Sequence, residues 1–544
     1  MAVKYPTMYY DMYIGKNMTE PQANLIMQTR KESVIPNLKP YLFNFPAELI
    51  KQSLDEELSI REIIKRDGID YTSYCAELRD YQTVGTAFMY LSPRSIIADG
   101  CGLGKSAEVA GLINWLKSKG ELTRFVIAVE NSAIAQMSVE LMRFTGLRVV
   151  TMPGEAVKVR KIINKTDWNK VDGIVIKHST LKSDAFSKWL ALNIDENGLC
   201  TIFNTFFLDE SSVIKNQDTK IYNYTKNICN IVTRAHLMNA TAFETSIIDI
   251  YNQIEMMDDT ILPKKWRIEK EYCTFARTSY WTKENGKAKM NWRHERSGYK
   301  NQEKFKESLK LIYFGRSAKD VGKDLPHIYK VYEVEPTNEM SLGLEKGYRY
   351  SELLNCPSLI PEVNIPMTRK TVPKLDRLCD LVQNEFAGSK VMIYCFHLDA
   401  QEAIAEEMRK IGRNPVTLNG SCKDEDRLAV QNGFNNGEYD VIITNIKKSL
   451  NLQGGDVCIF YSMETNPSKA FQIASRIDRH VTDDIKTFVL LLYKGTDEYK
   501  FFTTTVKQRA KDARDLTIDA KTTVDFFFES MMQDELAELK ANQS

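Results

Sequence analysis

Residues 98–109 have the sequence ADGCGLGKSAEV and overlap the end of a short apolar segment, SIIAD, at 95–99. Gly102 and Gly104 lack a Cβ, so their backbone N–H groups can approach an anion closely. The amino end of a helix that begins here would add a positive field at the same point. The segment therefore predicts a strand, a phosphate-binding loop and a helix, as at the start of a nucleotide-binding α/β domain.

Two side chains of this loop extend the prediction to chemistry. Lys105 is placed to reach the β- and γ-phosphates of a nucleotide, and the Ser106 hydroxyl is a suitable ligand for Mg²⁺. The complete G-x-x-x-x-G-K-S pattern has a glycine where this chain has Asp99. Taken alone, the loop also fits a glycine-rich turn between a strand and a helix that binds nothing.

A second segment, FFLDESSVIKN at 206–216, supplies the other half of such a site. Asp209 ends an apolar strand and could hold Mg²⁺ through water, while Glu210 could orient or deprotonate an attacking water. A solvated Asp-Glu pair at a strand end is the alternative for this segment alone. Its place after the phosphate loop favours a site that hydrolyses a nucleotide.

Short apolar runs alternate with amphipathic segments along most of the chain, which predicts parallel strands with helices between them. The expected strands are 95–99, 125–130, 173–177, 206–210 and 235–241, then 390–396, 414–420, 440–445, 457–462 and 486–493. The predicted domains are an N-terminal accessory region (1–75), a first lobe (76–262), an insertion (263–330), a connector (331–375), a second lobe (376–500) and a helical tail (501–544).

The composition limits the class of protein. A chain of 544 residues is too long for one hydrophobic core. The net charge of +1 argues against a globally basic nucleic-acid coat but leaves room for a local basic surface. Ten scattered cysteines without a C-x-x-C pair argue against a zinc knuckle and favour a reducing compartment. Neither a signal peptide nor an apolar run of about 20 residues is seen, so no membrane partner is expected.

Residues 280–300, YWTKENGKAKMNWRHERSGYK, combine aromatic and basic side chains. Asn285-Gly286 predicts a tight turn between two strands. Bases can stack on the aromatic rings while lysines follow the phosphates, so this segment is a candidate nucleic-acid surface. The alternative is a solvated hairpin whose tryptophans pack on the first lobe. The candidate residues are Trp281, Lys283, Lys287, Lys289 and Trp292.

The order of these segments resembles the Swi/Snf-like ATPases of helicase superfamily 2, over residues 78–500. The resemblance is carried by LRDYQTVGTAFMY (78–90), ADGCGLGKS (98–106), DESSVIKN (209–216), LMNATAFETSIIDIYNQI (237–254), GYKNQEKFKESLKLIYFGRSAKDVGKDLP (298–326) and LNLQGGDVCIFYSMETNPSKAFQIASRIDRH (450–480). It implies two tandem RecA-like parallel-sheet lobes that use ATP and Mg²⁺, with the ATP site between the lobes.

The resemblance also implies roles for single residues. Arg79 and Gln82 belong to the nucleotide site, and Gln82 would bind the adenine edge. Arg476 and Arg479 would be arginine fingers that stabilise the transferring phosphoryl group. Two loops, 176–184 and 447–452, resemble loops that contact a nucleic-acid strand in the family. Their candidate nucleic-acid contacts, together with the end of the preceding strand, are Ser179, Thr180, Thr444, Lys447 and Asn451.

Several positions depart from the family pattern. Ser211-Ser212 replaces the Ala-His of D-E-A-H, and NATAFET at 239–245 replaces G-T-P-I-Q-N-N. Thr465 replaces a tryptophan, and KKSLNL at 447–452 lacks the family's glycines. The first two changes fall in segments that link hydrolysis to lobe movement in the family, whereas the residues for phosphoryl chemistry are kept. The sequence therefore predicts an active ATPase with altered coupling.

The expected activity is ATP-driven movement along DNA, either duplex, forked or branched. One alternative is a remodeller of RNA polymerase or another DNA-bound protein complex that docks through 1–75, and a second is an ATP-gated DNA clamp that does not translocate. RNA is an alternative track. The brevity of the chain outside the core resembles compact bacterial or phage-encoded members, so the expected location is the cytoplasm, at the nucleoid or in an infected bacterial cell.

Overall fold

The chain forms two compact units, Met1–Ser317 and Ala318–Ser544. A computed structural model describes most of both units, whereas the predicted accessory region 1–75 lies outside the described residues. The described residues are 78–131, 133–239, 247–284, 287–309, 312–316, 319–321, 327–345, 355–359, 365–420, 422, 424–446, 450–478, 484–516 and 524–532.

The first unit is built on a seven-stranded parallel sheet in the order β3-β4-β2-β5-β6-β1-β9. Its strands are β1 (Arg94–Ile97), β2 (Phe125–Val129), β3 (Val149–Met152), β4 (Gly173–Lys177), β5 (Thr205–Leu208), β6 (Arg234–Met238) and β9 (Tyr313–Phe314). The central strands are continuous apolar runs, such as FVIAV in β2, and are buried along their whole length. Such strands require helices on both faces of the sheet.

The helices of the first unit alternate with these strands. They are α1 (Asp80–Leu91), α2 (Lys105–Ser118), α3 (Ile134–Thr145), α4 (Ala156–Lys165), α5 (His178–Leu181), α6 (Asp184–Ala191), α7 (Lys220–Ile231), α8 (Ile247–Met257), α9 (Lys265–Tyr272) and α10 (Gln302–Leu309). Phe88 of α1 stacks on Phe314 of β9 with ring centroids 5.0 Å apart. This contact attaches the short edge strand to the core of the unit.

An antiparallel hairpin separates α9 from α10. Its strands are β7 (Cys273–Glu284) and β8 (Lys287–Tyr299), which pair as a two-stranded sheet with Glu284 opposite Lys287. The two strands that the sequence predicts here are confirmed, while Asn285 and Gly286, the predicted turn, lie outside the described residues.

The second unit has a six-stranded parallel sheet in the order β10-β15-β14-β11-β13-β12. Its strands are β10 (Ile328–Val334), β11 (Val391–Tyr394), β12 (Pro415–Leu418), β13 (Val441–Thr444), β14 (Val457–Phe460) and β15 (Thr487–Tyr493). Its helices are α11 (Asn338–Glu345), α12 (Pro373–Asp380), α13 (Leu398–Lys410), α14 (Asp424–Asn436), α15 (Pro467–Ala474), α16 (Asp497–Phe501), α17 (Lys507–Leu516) and α18 (524–532). The apolar tail segment is packed, since Phe526 of α18 stacks on Tyr329 of β10 and Phe528 stacks on Phe502.

The predicted fold class, two tandem RecA-like parallel-sheet lobes, is confirmed by these two sheets. The structure adds to the two sheets two strands from the region that the sequence analysis placed between the lobes. Strand β9 lies inside the predicted insertion 263–330 but pairs with β1, and β10 spans the predicted boundary at 330–331 but pairs with β15. Both are edge strands, and the half-exposed side chains of β10 break the continuous apolar pattern that identified the central strands. Within the described residues no helix is long and apolar enough to cross a membrane.

Candidate nucleotide site

The two predicted halves of the site lie on the same edge of the first sheet. Strands β1, β6 and β5 are neighbours and parallel, so their carboxyl ends meet at one edge. The phosphate loop 98–104 follows β1, and Asp209 follows β5. Asn239, which follows β6 between them, is buried and donates its backbone N–H to the carbonyl of Ile97. Open α/β sheets bind ligands at this edge.

The backbone of the phosphate loop depends on its glycines. Gly102 and Gly104 have φ angles of 80° and 88°, in the left-handed region that residues with a Cβ avoid. Helix α2 begins immediately after Gly104, and Lys105 donates from Nζ to the carbonyls of Asp99 at 2.7 Å and Gly100 at 3.3 Å. The ammonium group thus lies against the loop that is predicted to bind the phosphates of the nucleotide.

Helix α1 holds the loop from the other side. Gln82 donates from Nε2 to the carbonyl of Leu103 at 2.9 Å, and the Tyr81 hydroxyl donates to the same oxygen at 3.0 Å. The side-chain oxygen of Gln82, Oε1, accepts the backbone N–H of Arg79 at 3.0 Å. A Cβ on Gly104 would lie 2.4 Å from Gln82 Nε2. Gln82 therefore shapes the loop. Its contact with adenine, and that of the exposed Arg79, stay predictions.

Asp99, the departure from the glycine pattern, is explained by a partner far along the chain. Its fully buried carboxylate accepts from Arg316 Nε, with both distances 3.2 Å, and Arg316 Nη2 also binds Glu108 Oε1 at 2.5 Å. Burial and the nearby Asp99 carboxylate raise the pKa of Glu108 well above its ordinary value, while Arg316 acts in the opposite direction. Glu108 therefore ionises at a higher pH in the folded chain than an exposed glutamate does.

Glu108→Gln is expected to stabilise the chain increasingly as the pH rises. The folded-state pKa of Glu108 lies above its unfolded value, so unfolding releases a proton at pH values between the two. Stability from this group is present below the unfolded pKa and is lost as the pH rises toward the folded pKa. Glutamine keeps the shape and cannot ionise. Melting temperatures of both proteins between pH 5 and pH 8 should diverge, and a constant difference would contradict the raised pKa of Glu108.

The Asp209–Glu210 step has an unusual backbone. Glu210 has φ 52° and ψ 53°, and it is one of two non-glycine residues with positive φ within the described part of the chain. Such conformations cost free energy and occur often at active sites. Ser106 and Asp209, both half-buried at this sheet edge, offer the hydroxyl and carboxylate oxygens that Mg²⁺ prefers. The donor set thus fits the predicted metal, which would neutralise phosphate charge when bound.

Two contacts not predicted from the sequence connect this step to its surroundings. His178 of α5 lies with Nε2 2.9 Å from the carbonyl oxygen of Asp209, so the ring nitrogen is the donor. Ser211 donates from Oγ to Gln253 Oε1 of α8 at 2.6 Å. The altered D-E-S-S segment is therefore tied to α5 on one side and to α8 on the other. The predicted change at Ser212 itself falls on a half-buried residue.

The structure places the candidate nucleic-acid contacts unequally. Thr180 and Thr444 are fully buried, and their hydroxyls bind the carbonyl of Met152 at 3.1 Å and the N–H of Ile446 at 3.0 Å. These two residues therefore stabilise their loops internally, and their contact with nucleic acid stays a prediction. Ser179 and Asn451 are half-buried.

The remaining candidates stay predictions. Five lie in the strands of the hairpin, where the structure describes the backbone but not these side chains: Trp281, Lys283, Lys287, Lys289 and Trp292. Lys447 lies outside the described residues.

Of the two predicted arginine fingers, Arg476 lies within the described residues. Arg476 is buried, and its guanidinium donates to the carbonyls of Gln472 at 2.9 Å and Leu450 at 3.2 Å. It therefore holds the loop that precedes β14 in addition to any role toward ATP. Arg479 lies outside the described residues. Between them, Asp478 binds Nε2 of His327 at 3.0 Å, a pair that the sequence analysis missed.

The chain is similar in sequence to several known proteins. Residues 373–481 match the model of the helicase conserved C-terminal domain. The SWI/SNF chromatin-remodeling complex subunit snf22 of Schizosaccharomyces pombe is 21% identical over 476 residues, or 77% of this chain and 27% of that protein. ATP-dependent DNA helicase Q1 of Pongo abelii is 23% identical over 161 residues, or 29% of this chain and 24% of that protein. A solved Sulfolobus solfataricus SWI2/SNF2 ATPase core in complex with dsDNA has 17% identity and a TM-score of 0.39, and covers 82% of this chain and 98% of its own.

These sequence matches support the predicted class, a Swi/Snf-like ATPase of helicase superfamily 2. The chain spans about a quarter of the length of the first two relatives, 27% and 24%. The activities and partners of those longer proteins are therefore considered for this chain only as proposals.

Proposed function

We propose that this protein hydrolyses ATP at the phosphate loop of its first unit and uses the energy to move along DNA. The observation that carries the proposal is the sheet edge on which Lys105, Ser106, Asp209 and Glu210 lie together. A phosphoryl-transfer site needs a cation for the phosphates, oxygen ligands for Mg²⁺ and a carboxylate for the water. All of these groups are present at one edge.

Each residue has one task in this proposal. Lys105 binds the β- and γ-phosphates, and the N–H groups that open at Gly102 and Gly104 cradle them. Ser106 and Asp209 hold Mg²⁺, which supplies charge neutralisation when bound. Glu210 orients the water and accepts its proton.

DNA is the proposed track for two reasons: the names of the relatives, and the contact between α5 and Asp209 at the end of β5. One relative is a DNA helicase and another is a subunit of a chromatin-remodeling complex, by their names. His178 adjoins Ser179, a candidate contact with nucleic acid, and donates to the carbonyl of the metal-binding Asp209. A shift of α5 on a bound strand would thus reach Asp209 through one hydrogen bond.

The proposal is tested by measuring steady-state ATP hydrolysis with no nucleic acid and with duplex DNA, single-stranded DNA, forked DNA and RNA at equal nucleotide concentration. Stimulation by duplex or forked DNA above the basal rate is expected. Equal rates in all five conditions would contradict the use of DNA as a track, and the absence of any hydrolysis would contradict the assignment as an ATPase.

His178→Ala is expected to lower DNA-stimulated hydrolysis by roughly tenfold, the ordinary size of a coupling between two sites, and to leave the basal rate nearly unchanged. The alanine removes the donor to Asp209 without touching the phosphates. His178→Gln, which offers an N–H at a similar reach, should restore part of the stimulation. If both rates fall together in His178→Ala, the histidine supports the chemistry itself and not the coupling.

Replacing Lys283, Lys287 and Lys289 with alanine is expected to weaken DNA binding and to reduce its salt dependence. For each phosphate that the variant no longer neutralises, the slope of log K against log salt should fall by about 0.7–0.9. The measurement is a titration of labelled forked and blunt DNA at several salt concentrations, with the melting temperature as control. An unchanged slope together with a lower melting temperature would mean that the hairpin is a packing element.

A further inference from the structure

Arg316 connects three segments that surround the phosphate loop. Its guanidinium donates to Asp99 at the start of the loop, to Glu108 in α2 and to the carbonyl of Tyr81 in α1. The side chain is buried and lies over the ring of Tyr81, with 5.3 Å to the centroid. One planar cation therefore bonds to each of the segments that contribute Lys105, Gln82 and the loop glycines.

The backbone of Arg316 reaches the same loop. Strand β9 pairs with β1 through the N–H of Ala98 and the carbonyl of Phe314 at 2.6 Å. The pairing continues past the strand, since Gly100 donates its N–H to the carbonyl of Arg316 at 2.8 Å. Arg316 thus holds the Asp99–Gly100 step by both its side chain and its main chain.

This step is where the catalytic lysine lies. The carbonyls of Asp99 and Gly100 are the two acceptors of Lys105 Nζ. The carboxylate of Asp99 is held by Arg316, while its carbonyl accepts from Lys105. The orientation of one residue therefore sets both contacts, and a displaced Arg316 would displace the acceptors of Lys105.

We propose that Arg316 is a positioning residue of the nucleotide site, which fixes the entry of the phosphate loop against the last segment of the first unit. The proposal rests on the proposed function, since it assumes that the loop binds ATP. Arg316 precedes the unit boundary at Ser317–Ala318 by one residue. A change in the path of the chain at this boundary would act on the phosphate loop through Arg316.

Arg234 offers a matched control in the same unit. It is also buried, lies over the ring of Tyr90 at 5.1 Å, donates to the carbonyl of Tyr90 at 2.8 Å and pairs with the Glu121 carboxylate at 3.3 Å. Both arginines thus bind a tyrosine of α1 and a carboxylate. Tyr90 and Glu121 both lie outside the phosphate loop, whereas Asp99 belongs to it.

The test compares Arg316→Lys with Arg234→Lys in the full chain. Lysine keeps the charge but cannot reproduce the planar fork that reaches several acceptors. Both variants should lose melting temperature, whereas only Arg316→Lys should lose kcat/KM for ATP, by roughly 10- to 100-fold, since small displacements at a reacting centre have effects of that size. Losses of kcat/KM that follow the loss of melting temperature equally in both variants would overturn the positioning role.

Asp99→Asn provides a second variant in case the lysine variant does not fold. It removes the charge on the loop side of the contact and keeps the shape. The affinity for a fluorescent ATP analogue, measured by titration without turnover, should weaken in Asp99→Asn and Arg316→Lys and stay unchanged in Arg234→Lys. Unchanged affinity in all three variants would overturn the inference. A wild-type chain that binds the analogue but does not hydrolyse ATP would instead overturn the proposed function, so the two failures are distinguishable.

Discussion

Lys105→Ala is expected to abolish ATP hydrolysis while DNA binding stays close to that of the unchanged protein. Lys105 begins α2 at the open end of the phosphate loop and donates to the Asp99 and Gly100 carbonyls. Its charge is the cation available from the loop for the β- and γ-phosphates, and such charge acts mainly on the transferring group. Alanine is compatible with the first turn of the helix, so the fold should persist.

The measurement is the hydrolysis rate with saturating DNA beside the dissociation constant for DNA. Lys119→Ala is a matched control, because Lys119 is exposed at the opposite end of the same helix. Its hydrolysis rate should equal that of the wild type. Hydrolysis by Lys105→Ala at a rate near that of wild type would show that the loop is not the nucleotide site.

Arg479→Ala is expected to lower kcat by about 10³-fold with little change in ATP affinity, because an arginine finger stabilises charge that develops in the transition state. Arg476→Ala should differ from it. Arg476 is buried and holds the Gln472 and Leu450 carbonyls, so its loss should lower the melting temperature of the second unit as well as turnover.

Single-turnover hydrolysis, ATP affinity and melting temperature of both variants separate these roles. Arg377→Ala is a suitable control, since Arg377 is a partly exposed residue of α12 that pairs with Asp380. If Arg479→Ala weakens ATP binding while turnover of the bound ATP is unchanged, the arginine contacts the ground state and is not a finger.

The central strands of both sheets could be predicted because a parallel strand covered on both faces is a continuous apolar run. The hairpin could be predicted because Asn-Gly favours a two-residue turn. Strand β9 has two residues and β10 is a half-exposed edge strand, so neither has a distinctive pattern. Both strands are therefore absent from the strands predicted from the sequence.

The segments that form the candidate site could be predicted from local motifs, whereas the residues that support these segments could not. Asp99 is unexplained by the loop sequence because its partner, Arg316, lies 217 residues away. His178 is separated from Asp209 by 31 residues. The residues beside it predicted a contact with nucleic acid, not a contact with the residue that follows β5. Contacts of this kind depend on the order of strands in the sheet, which periodicity does not determine.

Ser211 gives the altered coupling segment a physical meaning. The family resemblance predicts that Ser211-Ser212 alters the element that links hydrolysis to movement. In the structure Ser211 binds Gln253 of α8, and Asn252 of the same helix donates to the carbonyl of Lys215. The segment 209–216 is thus tied to α8 at two points, and this contact is where we expect hydrolysis and movement to be linked.

The central claim, that ATP hydrolysis drives movement along DNA, is tested most directly by the dependence of ATP turnover on duplex length. The rate of hydrolysis per bound protein is measured on linear duplexes of increasing length at saturating ATP and equal concentration of ends. A motor consumes ATP along its track, so the rate should rise with length and then level off as each encounter becomes limited by dissociation. A DNA-stimulated rate that is the same at every length would contradict movement and would identify an ATP-gated clamp.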